Sequence, residues 1–403
     1  MKRHIQIFVL ILLSFVLMPL TSQASDEPPG VTALLDSVEK QYEAMGSGRP
    51  VYDSIEVDGE GGATLYNVTW TIQQPDVEGS IKVEKLVISG VSERQSGAYS
   101  FKNIATENIV MAMEVPDVGP LIIEIPETFT SNIHILPARH SDGIDYSAFL
   151  GSAVYEKSSI PLVTISIAGQ SFNARNLTTS WSGDPETGFG KWDASIQNLN
   201  IPVSAFPDDD FQRDMKEEFG FEEFNLAFDG SAVVTGEDKK LNLAYGLRFK
   251  GKQIGDFEVA FAGQDIPAQL ATVMKEVQAG NEPSMGTLMP LIVGIKFNKL
   301  KLRFIDDNFT TKMLEFAAKK EGTTVEAMTA DGAALLRIGL MQLNMPEFSK
   351  TVIDAYNAFV KNPKNISIEA VPEAPVAVAT LMGMMMAPAM AIKTLGVKVE
   401  ANK

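Results

Sequence analysis

The 403-residue sequence contains no cysteine. That absence excludes disulfides, thiolate nucleophiles, cysteine-ligated zinc and the lipobox of a diacyl anchor. Histidine is nearly as scarce: beyond His4 there are only His134 and His140. No His-Glu-x-x-His and no Gly-x-Ser-x-Gly occurs, so the zincin and nucleophile-elbow chemistries are not indicated. Positive charge is also in deficit, with 34 Lys and Arg against 51 Asp and Glu and a formal net charge of −17. Such a surface repels nucleic acid and does not favour anionic headgroups through bulk charge. No nucleic-acid partner is expected.

What is present begins with an export signal. Lys2 and Arg3 precede an apolar run from Ile7 to Met18 broken only by Ser14, and Pro19 ends any helix. Ser22-Gln23-Ala24 then offers small residues at the positions a signal peptidase reads. The run is shorter than the ~20 residues of a spanning helix. Residues 1–24 therefore read as a signal peptide cut after Ala24, and the periplasm is the expected location. Removing two basic residues leaves 32 − 51 = −19.

Residues 25–50 hold a polar spacer and one amphipathic helix, with Val31, Leu34, Leu35, Val38, Tyr42 and Met45 at steps of three and four. From 51 to 305 the period changes to two. Tyr66, Val68, Trp70 and Ile72 alternate with polar residues, as do Phe224, Leu226 and Phe228. Leu241, Leu243, Tyr245, Leu247 and Phe249 do so most strictly, and Phe257, Val259 and Phe261 resume the pattern after a Lys250-Gly251-Lys252 turn. This pair reads as an antiparallel hairpin of strands about ten residues long, each with one buried and one wet face. Helical inserts are expected at Tyr146 to Tyr155 and Pro267 to Ala279.

After Leu300, Leu302 and Phe304 the period returns to that of a helix. Helices are expected over Phe309 to Glu321 with Asn308 as cap, from Thr323 or Thr324 through Asn344, and over Pro346 to Lys361. Asn365 to Val371 reads as a strand, Pro375 to Thr394 as one or two helices kinked at Pro388, and Val397 to Glu400 as a last strand. The fold class is α+β: a long antiparallel meandering sheet, an open half-barrel or groove, covered by a helical third at 306–403.

Four segments share apolar residues at offsets 0, 3 and 5: Val83 to Ile88, Ile196 to Ile201, Phe221 to Leu226 and Phe297 to Leu302. With the signal peptide, the Ile305-Asp306-Asp307-Asn308-Phe309 segment, the Pro372 and Pro375 pair and the closing Gly396 to Asn402 run, this texture resembles uncharacterised exported proteins of proteobacteria. More distantly it is similar to AsmA-type envelope proteins. The latter resemblance implies an open β groove associated with lipid handling; the cleavable signal and shorter length depart from that family.

Individual motifs read blandly. His134 and His140 lack zinc-ligand spacing apart from Asp142 and Asp145 and read as a surface pair. Ser37 to Lys40 matches Ser-x-x-Lys on the first helix without a companion motif. Gly246 to Gln253 nearly spells a phosphate loop, but Gln253 stands where Ser or Thr is needed, in a strand–turn–strand context. Asp208, Asp209 and Asp210 lack the alternating register of a calcium loop. No catalytic residue and no cofactor is assigned.

The least ordinary segment, Ala374 to Ile392, carries no charge and holds five methionines. A membrane span, a copper(I) thioether site and burial compete. Burial is favoured, with Met382, Met386 and Met390 stacking at i, i+4, i+8 over a sheet face. Incomplete helical cover would leave an apolar site lined by Tyr245, Leu247, Phe249, Phe257, Val259, Phe261 and those methionines. The expected function is non-catalytic binding of lipid or another apolar ligand. The rivals are an envelope assembly protein recruiting a partner strand at a sheet edge, and an enzyme of unidentified type.

Overall fold

The computed structural model describes residues 27–42, 49–74, 77–115, 119–136, 150, 153–167, 169–206, 209–237, 239–278, 283–384 and 387–403. The expected signal peptide, His140 and Met386 lie outside them. The first elements in chain order are α1 (Pro29–Tyr42), β1 (Ser54–Val57), β2 (Ala63–Gln74), β3 (Val77–Glu93), β4 (Tyr99–Val115) and β5 (Gly119–Ile135). β6 (Ala153–Ile167), β7 (Gln170–Gly183), β8 (Gly190–Pro202), α2 (Asp209–Glu217), β9 (Glu223–Glu237), β10 (Lys240–Gly251) and β11 (Gly255–Pro267) follow. Next come α3 (Leu270–Gln278), α4 (Met285–Ile292), β12 (Lys296–Asp306), α5 (Phe309–Glu321), α6 (Val325–Met341) and α7 (Pro346–Lys361). The chain closes with β13 (Asn365–Ala370), β14 (Val376–Ala377), α8 (Val378–Met384), α9 (Pro388–Thr394) and β15 (Val397–Ala401).

The class is α+β. Strands hydrogen-bond to their chain neighbours in the order β1 to β13 and then β15, with β14 beside β12, as an antiparallel open sheet. The chain divides into two compact units, Met1–Leu199 with Ala271–Pro283 and Asn200–Leu270 with Ser284–Lys403.

The first unit has a large, mainly apolar buried core. α1 presents Val31, Leu34 and Leu35, all fully buried, to β3 and β4. β3, β4 and β5 each run 17 residues, longer than the ten expected. Within them the buried side chains do not keep a single parity. Along β4, Phe101 is buried, then Ile104 and Thr106, then Ile109, Met111, Met113 and Val115. Each step of three coincides with an asparagine in the left-handed region. Asn108 has φ 52°, and Asn132 of β5, φ 48°, occupies the missing rung between Phe101–Ile133 and Asn103–Ser131. Asparagine visits this conformation more readily than other non-glycine residues, and here each amide is held by a carboxylate of the neighbouring strand. Asn108 Nδ2 donates to Glu84 Oε2 at 2.5 Å, and the Asn132 amide donates to the Glu156 carboxylate. A left-handed residue in an extended strand exchanges inward and outward positions, so alternation restarts out of phase.

The 0, 3, 5 pattern comes from local breaks in the alternation where the register is visible. Val83, Leu86 and Ile88 are buried, and the step of three lies at the rung facing Asn67 and Asn108. At Phe297 to Leu302 the step coincides with a bulge between Ala262 and Gly263 of β11.

Several expected boundaries move. The segment expected as a helix to Tyr155 enters β6 at Ala153, and Tyr155 is a buried strand residue. Pro267 ends β11, and α3 starts three residues later at Leu270. α4 is a helix inside the stretch read as strand. Asn308 makes no side-chain cap; Asp306 Oδ1 instead accepts from the Thr310 N–H at 2.8 Å. Thr324 does cap α6, accepting from the Ala327 N–H at 3.2 Å.

In the second unit a phenylalanine cluster joins α2, α5 and the strand entry. Rings of Phe219, Phe221, Phe309 and Phe316 make pairs with centroids 5.3 to 6.5 Å apart, with Val203 buried among them. α6 and α7 pack as a pair, and the Phe359 ring of α7 stands 6.2 Å from Phe304 of β12.

Candidate functional site

The hairpin register sets the site. Phe249 pairs with Phe257, Leu247 with Val259 and Tyr245 with Phe261, so all six expected strand residues share one face. The pairs extend sideways into three cross-strand rows. The first is Phe228, Phe249, Phe257, Phe304, Ile366 and Ala401; the second is Gly230, Leu247, Val259, Leu302, Ile368 and Val399. The third is Ala232, Tyr245, Phe261, Leu300, Ala370 and Val397. Ring pairs run along the rows, Phe228–Phe249 at 5.2 Å in the first and Tyr245–Phe261 at 5.5 Å in the third, and Phe297 adds a ring 6.2 Å from Phe261. The residues outside the hairpin carry their own alternation in sequence, but only the register shows which of them continue the same rows.

The opposite face of these strands is ionic. Arg248 binds Asp256 at 2.5 Å and reaches Glu258 at 3.5 Å, Lys301 meets Glu369 at 3.1 Å, and Lys250 pairs with Asp229. The hydrogen bonds that Arg248 donates to the Asp256 carboxylate raise the guanidinium pKa above its ordinary range. That face is therefore committed to solvent, and the apolar face is the one to be covered.

Cover is incomplete. Phe249 is 48% exposed, Phe257 42% and Ile368 46%, while the other four of the six strand residues are half-buried. Neither α4 nor α6 buries a single residue fully, although both are rich in Leu and Met. Two phenylalanine rings of ~200 Å² each, close to half exposed, leave roughly 180 Å² that would be worth about 4–5 kcal/mol if removed from water.

The methionine stripe does not form as expected. Met382 lies on α8 and Met390 on α9, separated by the break before Pro388, so an i, i+4, i+8 ladder has no continuous helix to stand on. Both are exposed, at 40% and 58%, and neither is core. Met386 lies outside the described residues.

A second polar arrangement was not foreseen. His134 is half-buried in β5, not a plain surface residue, and its Nδ1 lies 2.7 Å from Ser100 Oγ on the paired position of β4. Burial, and secondarily the Arg94 guanidinium, hold the imidazole below its ordinary pKa. Arg94 binds the carbonyls of Ile135 and Pro185 and the Glu186 carboxylate. The pair is non-local, and no spacing in the sequence announces it. Further along, the Tyr155 hydroxyl accepts from Thr179, and burial pushes its pKa up to about 12. Among the described residues no cluster of acidic or imidazole groups could hold a metal, and no helix is long and apolar enough to cross a membrane.

A family model described as "Uncharacterized protein" matches residues 248–402, which takes in the end of β10 and all of β11 to β15. Most of the apolar face falls inside that match. No curated protein matches the chain.

Proposed function

We propose that the chain is a non-catalytic binding protein of the periplasm whose second unit holds an acyl chain against the face formed by β9 to β13 and β15. The observation that carries this reading is the set of apolar rows in which Phe249, Phe257 and Ile368 stay nearly half exposed while ion pairs lie on the reverse face. Six strands at ~4.8 Å spacing make the rows about 24 Å wide. A bilayer leaflet offers an acyl chain about half of a ~30 Å hydrocarbon core, so the face can seat a chain along its whole length. The export signal expected from the sequence, and the resemblance in strand pattern to AsmA-type envelope proteins, agree with this reading.

The test is an equilibrium titration of the full chain with a fluorescent fatty acid. Saturable binding that Phe249→Gln/Phe257→Gln weakens at least tenfold, with the fold intact by circular dichroism, supports the proposal. Absence of saturable binding, or equal binding by the variant, overturns it.

A further inference from the structure

The outer strand of the second unit, β15, carries a pattern that matches itself. Its one strand neighbour among the described residues is β13, with Ile366 opposite Ala401, Ser367 opposite Glu400, Ile368 opposite Val399, Glu369 opposite Lys398 and Ala370 opposite Val397. The Asn402 N–H donates to the Asn365 carbonyl at 2.8 Å and therefore points toward β13. Backbone groups alternate in direction along a strand, so the N–H and C=O groups of Val397, Val399 and Ala401 point to the open side. Natural edges are blunted by proline, bulges, short length, lysines, inward-pointing charges or a covering helix. β15 has no proline and no bulge, with Val397, Val399 and Ala401 on the apolar face and Lys398 and Glu400 on the ionic one; it is five residues long, and α7 packs beside it.

We infer that β15 pairs antiparallel with β15 of a second copy of this chain about a two-fold axis at Val399. In that register Val399 faces Val399, Val397 faces Ala401, and each Lys398 faces Glu400 of the other copy. The outward backbone groups then form about six hydrogen bonds. Slipping by two residues in either direction puts Lys398 opposite Lys398 or Glu400 opposite Glu400, and like charges directly opposite disfavour pairing. The charge order on the ionic face specifies the same register. Lys301, Glu369 and Lys398 already alternate in sign from β12 to β15, with Lys301–Glu369 at 3.1 Å, and Glu400 of the second copy continues the series. Glu400 is held below its ordinary pKa by Lys403 at 2.8 Å, so it stays charged in the range where the pairing operates. The contact is isologous and closes at a dimer. It extends the three apolar rows across the axis, and it stands whether or not those rows hold an acyl chain.

The experiment is sedimentation velocity on the full chain over a concentration series, with two charge-reversed variants. Wild type should pass from monomer to dimer as concentration rises. Lys398→Glu and Glu400→Lys each set like charges against like in the homodimer, and each should weaken dimerisation about tenfold or more while circular dichroism is unchanged. Mixing the two variants restores both oppositely charged pairs and should return dimer to the wild-type level. A parallel measurement needs no variant: amide exchange in residues 397–401 of wild type should slow as concentration rises. A wild type that stays monomeric to millimolar concentration with concentration-independent exchange overturns the inference. So does a dimer indifferent to both reversals, a mixture of folded variants that stays monomeric, or an open-ended polymer, which would mean pairing of β15 with the β1 edge.

Discussion

Phe249 and Phe257 face each other across the β10–β11 ladder, both nearly half exposed, while one residue away Arg248 and Glu258 face each other on the reverse side as an ion pair at 3.5 Å. A β-strand must send alternate side chains to opposite faces. The strand that places its charges so well on one side therefore leaves its aromatic rings on the other, to be covered by something. In the first unit α1 and the neighbouring strands complete that cover. In the second unit Phe359 of α7 reaches Phe304, but the rings of β10 and β11 stay open.

Stability should follow this difference. Leu86 of the first unit is fully buried, and Leu86→Ala should cost about 2–5 kcal/mol. Phe249→Ala in the free protein should cost clearly less, because much of the ring is already in water. Denaturant unfolding of the two variants, followed by probes specific to each unit, checks the order. A larger loss at Phe249 would mean the face is packed.

The asparagines in mid-strand make a second expectation. At Asn108, with φ 52° and its amide on Glu84, glycine should be tolerated within a few tenths of a kcal/mol. Valine, which cannot rest in the left-handed region and lacks the amide, should cost about 1–3 kcal/mol. Equal melting of the two variants would contradict the parity-reversing role given to this residue.

His134 gives a pH dependence. Its folded pKa lies below the ordinary value of ~6.5 because the neutral ring is favoured by burial. As pH falls through ~6.5 the unfolded chain takes up a proton that the native state does not, so stability declines with falling pH and levels off once the native ring also protonates. Stability is fully present above pH ~6.5. His134→Gln should remove this component, and the difference between the two stability-versus-pH curves measures it. A difference curve flat from pH 8 to 5 would refute the assigned direction.

The exposed methionines should be dispensable to the fold. Met382→Leu/Met390→Leu should shift stability by no more than ~0.5 kcal/mol, the usual range for exposed sites. A drop of several degrees in melting temperature would show that these residues pack where the structure leaves them open.

Much of the second unit could be read from the sequence because β10 and β11 alternate without interruption and join through a short turn. Their partners on both sides extend the rows, and that required the register. The first unit was harder to read, since strands of 17 residues with left-handed asparagines present two or three short alternations out of phase, and each looks like a separate strand. Met382, Met386 and Met390 look like a stripe only if one helix runs through Pro388, and the helix stops before it. Ser100 and His134 are 34 positions apart and meet only through the β4–β5 register, which local pattern does not reveal.

The central claim, that the face over β9 to β13 and β15 seats an acyl chain, is tested most directly by location. The full chain is incubated with a fatty acid bearing a photoreactive diazirine along its alkyl chain, irradiated, digested and mapped by mass spectrometry. Adducts should concentrate on the apolar-face positions of β10, β11 and β12, Phe249, Phe257 and Leu302 among them, and unlabelled fatty acid should compete them away. Adducts that scatter over both units, or that resist competition, would contradict the account.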